Sequence, residues 1–174
     1  MTLPIGINFK RQAGFVLTEL IIVVIIIGTL SLFALPNFRK FSRGVGLERA
    51  GRNLSQTIRF AHFHSVSEGK KYRIYFDLEK SGFWVEKSID DTGKFTKFTT
   101  SLIKERTLGR DIEFLKIITP RGESFMGQAH LDFSPDGGSE NCRIYLQNGE
   151  KKRNTIVISA PTSRVAIYDY EYNK

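Results

Sequence analysis

The sequence has little of what most small-protein chemistry needs. It holds one cysteine and three histidines in 174 residues. One cysteine excludes an intramolecular disulfide framework and any cysteine-rich zinc site. Three histidines leave little for a histidine-based metal centre. Proline is scarce, at five, and no low-complexity tract or internal repeat is present, so collagen-like and wholly disordered readings fail on composition. Acidic residues are outnumbered, 18 against 26 Lys and Arg, which gives a net charge of +8. That surplus points to an acidic partner: nucleic acid, an anionic membrane surface or an acidic protein. The length fits one domain with an appendage and suffices for a hydrophobic core.

What is present is unevenly spread. Hydrophobic residues are 41% of the chain, but from Phe15 to Leu35 only Thr18, Glu19, Gly28, Thr29 and Ser31 are not apolar. As a helix this run spans about 31 Å, enough to match a bilayer core. A buried helix of a soluble protein seldom stays apolar on every side over such a length. A cleaved secretory signal fits poorly, because Leu32 stands where a small residue should precede Ala34. Lys10 and Arg11 lie before the run and Arg39, Lys40 and Arg43 after it, so charge counting gives no orientation. Glu19 is the anomaly, since a carboxylate in a membrane helix asks for a cation.

Lys10 and Arg11 close a short basic leader that ends in Ala13-Gly14, and Phe15 opens the apolar run four residues before Glu19. This Gly14-Phe15-Val16-Leu17-Thr18-Glu19 string closely resembles the processing site of type IV prepilins and type II secretion pseudopilins. Gly28 and Pro36 also fall where that family's N-terminal helix carries Gly and Pro. The resemblance implies cleavage between Gly14 and Phe15 by a prepilin peptidase and N-methylation of the new Phe15 amine. It further implies a single-pass protein of the bacterial inner membrane, its C-terminal domain periplasmic, handed by an inner-membrane assembly platform to a filament of other pilin or pseudopilin subunits. Membrane lipid is then a partner of the anchor. Glu19 lies one helical turn from the Phe15 amine, on the same face, so it can pair with its own amine or a neighbour's. It is read as an assembly residue. Its presence argues against the extreme tip subunit, which in this family tends to lack it.

The organisation follows: 1–14 leader, 15–36 membrane helix, 37–68 an amphipathic continuation, 69–174 a β-rich domain. Pro36 should break or bend the helix, and Gly44 and Gly46 should weaken it. Leu47, Ala50, Leu54, Ile58 and Ala61 form one apolar stripe. Gly69 suits the helix end. Tyr72, Ile74, Phe76 and Leu78 then alternate with polar positions, and Lys80-Ser81-Gly82 turns into a returning strand at 83–86. Further strands are predicted at 112–118, 131–133, 143–146, 155–159 and Arg164–Tyr168, with a turn at Asn148-Gly149. The fold class is α+β, a type IV pilin-like long helix packed on an antiparallel sheet.

The domain also resembles the GspH/FimT group of minor pseudopilins and pilins, through Arg59-Phe60-Ala61, Gly69, the Tyr72–Asp77 strand and Phe133-Ser134-Pro135-Asp136-Gly137-Gly138. Its last strands complete the likeness. The group often has Gly where Ser163 stands here. Its DNA-binding FimT-type members carry a second arginine where this chain has Ala166.

No catalytic constellation is visible, and a non-enzymatic role is expected, with no cofactor and no metal. Cys142 reads as a packed thiol with no base to activate it. His62 and His64 are two apart on a helix and share no face. Asp90-Asp91 and Asp136-Gly137-Gly138 read as turns, the latter with too few carboxylates for calcium. Lys151, Lys152 and Arg153 follow the Asn148-Gly149 turn as a solvated hairpin tip. With Arg164 they form the candidate polyanion site, for DNA or for an acidic neighbour. Phe95, Phe98 and Phe125 among Lys94, Lys97 and Arg121 are compatible with single-strand stacking, or with loops that cap the sheet. The leading reading is a minor pilin or pseudopilin serving protein secretion or pilus biogenesis; the alternative is a FimT-like minor pilin binding DNA during transformation.

Overall fold

The computed structural model describes residues 13–89, 93–100 and 103–170, with side chains placed at 17–31 and from 45 onward. Most of the leader and the Asp90-Asp91 turn lie outside the described residues. Helix α1, Ala13–Glu68, comes first. Pro36 does not end it, nor do Gly44 and Gly46; the backbone is helical through all three. A chain division falls between Phe41 and Ser42 and gives two units.

In the first unit the described apolar side chains are exposed on every side of the helix. Leu17 is 61% exposed, Val24 61% and Leu30 64%. The Thr29 hydroxyl donates to the Ile25 and Ile26 carbonyls, and Ser31 to Ile27. These hydroxyls are therefore satisfied within the helix and do not oppose an apolar surrounding. Among the described residues no helix is long and apolar enough to cross a membrane. The anchor read from the sequence, residues 15–36, extends beyond the described side chains at both ends.

The second unit is an α+β domain. Its part of α1 buries the predicted stripe: Leu47, Ala50, Leu54, Ile58 and Ala61 all belong to the core. Gly69 ends the helix with a positive φ of 62°. Lys70 N donates back to Ser65 O there, which satisfies a carbonyl left over in the last turn. Among the described residues ten strands follow: β1 (Tyr72–Asp77), β2 (Gly82–Ser88), β3 (Phe95–Lys97), β4 (Arg106–Thr107), β5 (Ile112–Thr119), β6 (Gly122–Ser124), β7 (Gln128–Phe133), β8 (Cys142–Asn148), β9 (Arg153–Ser159) and β10 (Arg164–Tyr168).

They make two antiparallel sheets, where the sequence reading expected one. The first runs β3-β2-β1-β7, with β4 also on β2; the second runs β10-β9-β8-β5-β6. Alternation on β1 puts Tyr72, Ile74 and Phe76 inward. The two sheets meet in one core, with the Phe76 and Phe114 rings 5.8 Å apart. The helix packs beside β9 and β10: a methyl placed on Gly51 would touch Asn154 and Ile167. In β5 the register against β8 shifts between Phe114 and Lys116. That bulge keeps both Phe114 and Ile117 facing the core, although their odd spacing would put one outside.

Candidate functional site

The processing and assembly residues lie at the start of α1. Gly14 and Phe15 are helical, beside its first described residue. Glu19 is exposed, one turn further on, and has no hydrogen-bond or ion-pair partner among the described residues.

The basic tip is built by the β8–β9 turn. Asn148 is buried, and its side-chain oxygen accepts from the backbone N–H groups of Glu150 and Lys152, at 3.1 and 3.0 Å. Lys151 takes a positive φ of 61°. The turn thereby throws the Lys151 and Lys152 side chains into solvent. Arg153 is tied back by Nε to Gln147 at 3.2 Å. With Leu47, Glu48, Asn154, Asp169 and Tyr170 the three cations line a groove of about 480 Å³. Arg164 is not part of it. It sits opposite Ser159, at the other end of β9 from Arg153. Seven strand residues put roughly 20 Å between them.

The Phe133–Gly138 string does structural work. Phe133 is fully buried. The Gly137 carbonyl accepts from Ser163 Oγ at 3.1 Å and lies 3.0 Å from His62 Nε2. This knot ties the helix, the β7–β8 loop and the β9–β10 turn together. It also explains Ser163 where a glycine is common: its φ is 53°, a left-handed conformation natural to glycine, and its hydroxyl bond helps hold it there. His62 and His64 are both engaged, the latter through Nδ1 to Glu68 at 3.0 Å.

The helix end is clasped to the first sheet. The Lys87 ammonium beside Glu68, with His64, holds the Glu68 carboxyl down to about 2. Burial pushes the Tyr72 phenol up, and Glu68 beside it adds to the effect. Cys142 is fully packed, and burial pushes its thiol up to about 12, which leaves no thiolate near neutral pH. No group of three or more potential metal ligands occurs among the described residues.

Of the three phenylalanines singled out in the sequence, Phe95 and Phe98 are covered, and Phe125 is left exposed on the β6–β7 loop, 59% in solvent. Phe95 lies under the Arg73 guanidinium, 4.1 Å from ring centre to Cζ. Phe98 packs on the core, with Tyr72 at 5.5 Å. On the outward face of the first sheet Tyr75 pairs in register with both Trp84 and His130. Trp84 stacks on Tyr75 at 5.4 Å and carries the Lys97 ammonium at 4.9 Å on its ring. His130 is held neutral more readily than usual, by burial first and then by Arg73 and Arg121. Sequence reasoning missed this row because alternation alone does not say which strands lie side by side.

No family model and no curated protein matches the sequence. Solved structures do match. The minor pseudopilin EpsH from the type 2 secretion system of Vibrio cholerae superposes with a TM-score of 0.56 at 8% identity, over 71% of this chain and 96% of that one. The fold is pseudopilin- and type IV pilin-like. Escherichia coli GspH gives a TM-score of 0.54 at 10% identity, covering 71% of this chain and 88% of that one. The Pseudomonas aeruginosa type IV minor pilin FimU gives 0.52 at 13%, covering 74% and 92%. The pilin-like fold is thus shared with subunits of both machines, at identities where only architecture is common.

Proposed function

We propose that this chain is a minor pilin or pseudopilin subunit, made as a prepilin, anchored in the bacterial inner membrane and assembled with other subunits into a filament. The observation that carries this reading is the coincidence of two independent features. One is the Gly14-Phe15 site with Glu19 at the mouth of an all-round apolar helix. The other is a pilin-like fold in the domain that follows.

The physics supports each step. Cleavage creates a cation at Phe15, one turn from Glu19. Exposed apolar residues over 17–31 have nothing to cover them in the isolated chain and gain from lipid before assembly and from neighbouring helices after it. The role we propose is non-catalytic; the one thiol, Cys142, is packed, and burial holds it protonated.

Mass spectrometry of the mature N-terminus tests the proposal. An N-methylated Phe15 is expected; an intact Met1 in cells that carry the assembly machinery would overturn it.

A further inference from the structure

An open sheet leaves backbone donors and acceptors without partners along its edge strands. Among the described residues most edges of the second unit are short or taken up. β3, β4 and β6 have three, two and three residues. The outer side of β7 is engaged: Phe133 bridges to Ser139, and the Arg121 guanidinium donates to His130 O at 3.0 Å. β10 is different. It ends the second sheet, with β9 on one side only, and pairs with it in unbroken register. Its Val165-Ala166-Ile167 core holds no charge, proline or bulge, the devices that keep an edge from pairing.

Arg59 Nη2 donates to Val165 O at 3.5 Å, so that carbonyl faces away from β9. Successive residues of an antiparallel strand alternate between bonding to the neighbour and facing out. Val165 and Ile167 therefore turn their N–H and C=O groups to the open side, and Arg164, Ala166 and Tyr168 turn theirs to β9. No other backbone group of the described residues bonds to Val165 or Ile167 on that side. The side chains alternate too. Val165 faces the core at 9% exposure, and Ile167, on the same face, is left 38% exposed. Arg164 is on the opposite face. Arg59 and Arg164 thus flank the first residues of the strand. Both are exposed, and neither has an ion-pair partner among the described residues.

We propose that β10 accepts an extended segment of another subunit as a sixth strand of the second sheet, with a carboxylate opposite Arg164. The inference rests on the subunit reading above. The backbone selects an extended chain, because a strand meets N–H and C=O groups spaced two residues apart. The side chains select its sequence, because residues directly opposite one another share a face. The residue opposite Arg164 stands beside two unpaired guanidinium groups and is acidic. Those opposite Val165 and Ile167 are apolar and cover Ile167. The Arg59 bond to Val165 O is long, and an incoming N–H replaces it, which frees Arg59 for the carboxylate. A second copy of this strand fits less well. In a two-fold antiparallel pair Arg164 faces an even-numbered position, and those from 164 to 170 are Arg, Ala, Tyr and Tyr. None brings a carboxylate.

The test uses the full chain in detergent and residue-resolved amide hydrogen exchange. The probe is an end-blocked peptide, Thr-Glu-Val-Ser-Val-Thr, and its control carries Lys in place of Glu. The acidic peptide should slow exchange at Val165 and Ile167 several-fold and leave Ala166, already held by β9, unchanged. The lysine peptide should bind more weakly, and Arg164→Glu should reverse that order. Ile167→Pro removes a donor that β9 does not use and should abolish binding of both. Slowing by neither peptide, equal slowing by both, or no effect of Ile167→Pro would overturn the proposal. So would slow exchange at these two amides in the chain alone with a dimer mass by light scattering, which gives the edge to a second copy. Binding of an oligonucleotide through Arg164 in place of either peptide would overturn it as well. The exchange reads the edge whatever the N-terminus is, so an intact Met1 overturns the subunit reading alone.

Discussion

Glu19 is the sole formal charge between Phe15 and Leu35. Placed in a bilayer unpaired, a carboxylate costs on the order of 2.5–3.5 kcal/mol at the centre and less near an edge. Nothing in the isolated chain offers it a partner among the described residues. A neighbour's Phe15 amine would supply one and fix the axial register between subunits. Glu19→Ala should leave the protein expressed and membrane-bound but reduce its incorporation into filaments, read by shearing and immunoblotting. Unchanged incorporation would rule out the assembly role.

Glu68 carries a second residue-scale consequence. Its carboxyl is held at about 2 by Lys87 first and His64 next, against an ordinary 4.5. A carboxyl depressed in the folded state contributes stability that is complete above its ordinary value and lost as pH falls from there to about 2. The loss releases the end of α1 from β2. Equilibrium denaturation across this window should show a shallower acid decline for Glu68→Gln than for the parent chain. Equal slopes would assign the acid sensitivity elsewhere.

At the scale of elements, α1 is the lever. Leu54 is completely buried at the middle of its stripe, between the two sheets' shared core residues. Leu54→Ala removes apolar contacts and leaves a cavity, so a loss of about 2–5 kcal/mol in denaturant unfolding is expected. The stripe was legible because five apolar residues at helical spacing admit no other face. Tyr72–Asp77 and Arg164–Tyr168 were legible for the same reason at period two. The strands that escaped, β3, β4 and β6, have three, two and three residues, too few to show alternation. A single sheet was expected because pairing partners far apart in sequence, such as β1 with β7, leave no local signal. The same limit governs the candidate site. Lys151, Lys152 and Arg153 were found together because they are consecutive. That Arg164 lies away from them depends on the register of β9 with β10.

At the scale of the whole molecule, the two units divide the labour of solvation. Every residue of the buried core cluster falls between Leu47 and Val165. The described side chains of the first unit are all exposed. Of the net charge of +8, the second unit carries +5, while the first holds Lys10, Arg11, Arg39 and Lys40 against Glu19. A fragment beginning at Ser42 therefore keeps the whole described core and sheds the exposed apolar side chains of 17–31. It should be soluble without detergent and unfold in one cooperative step. Its urea m-value should equal that of the domain in the full chain, because m tracks the area exposed on unfolding and the first unit buries none of the described apolar side chains. Calorimetry and urea titration of the two proteins check this. A fragment that loses cooperativity or much of its m-value would show that residues before Ser42 belong to the folding unit after all.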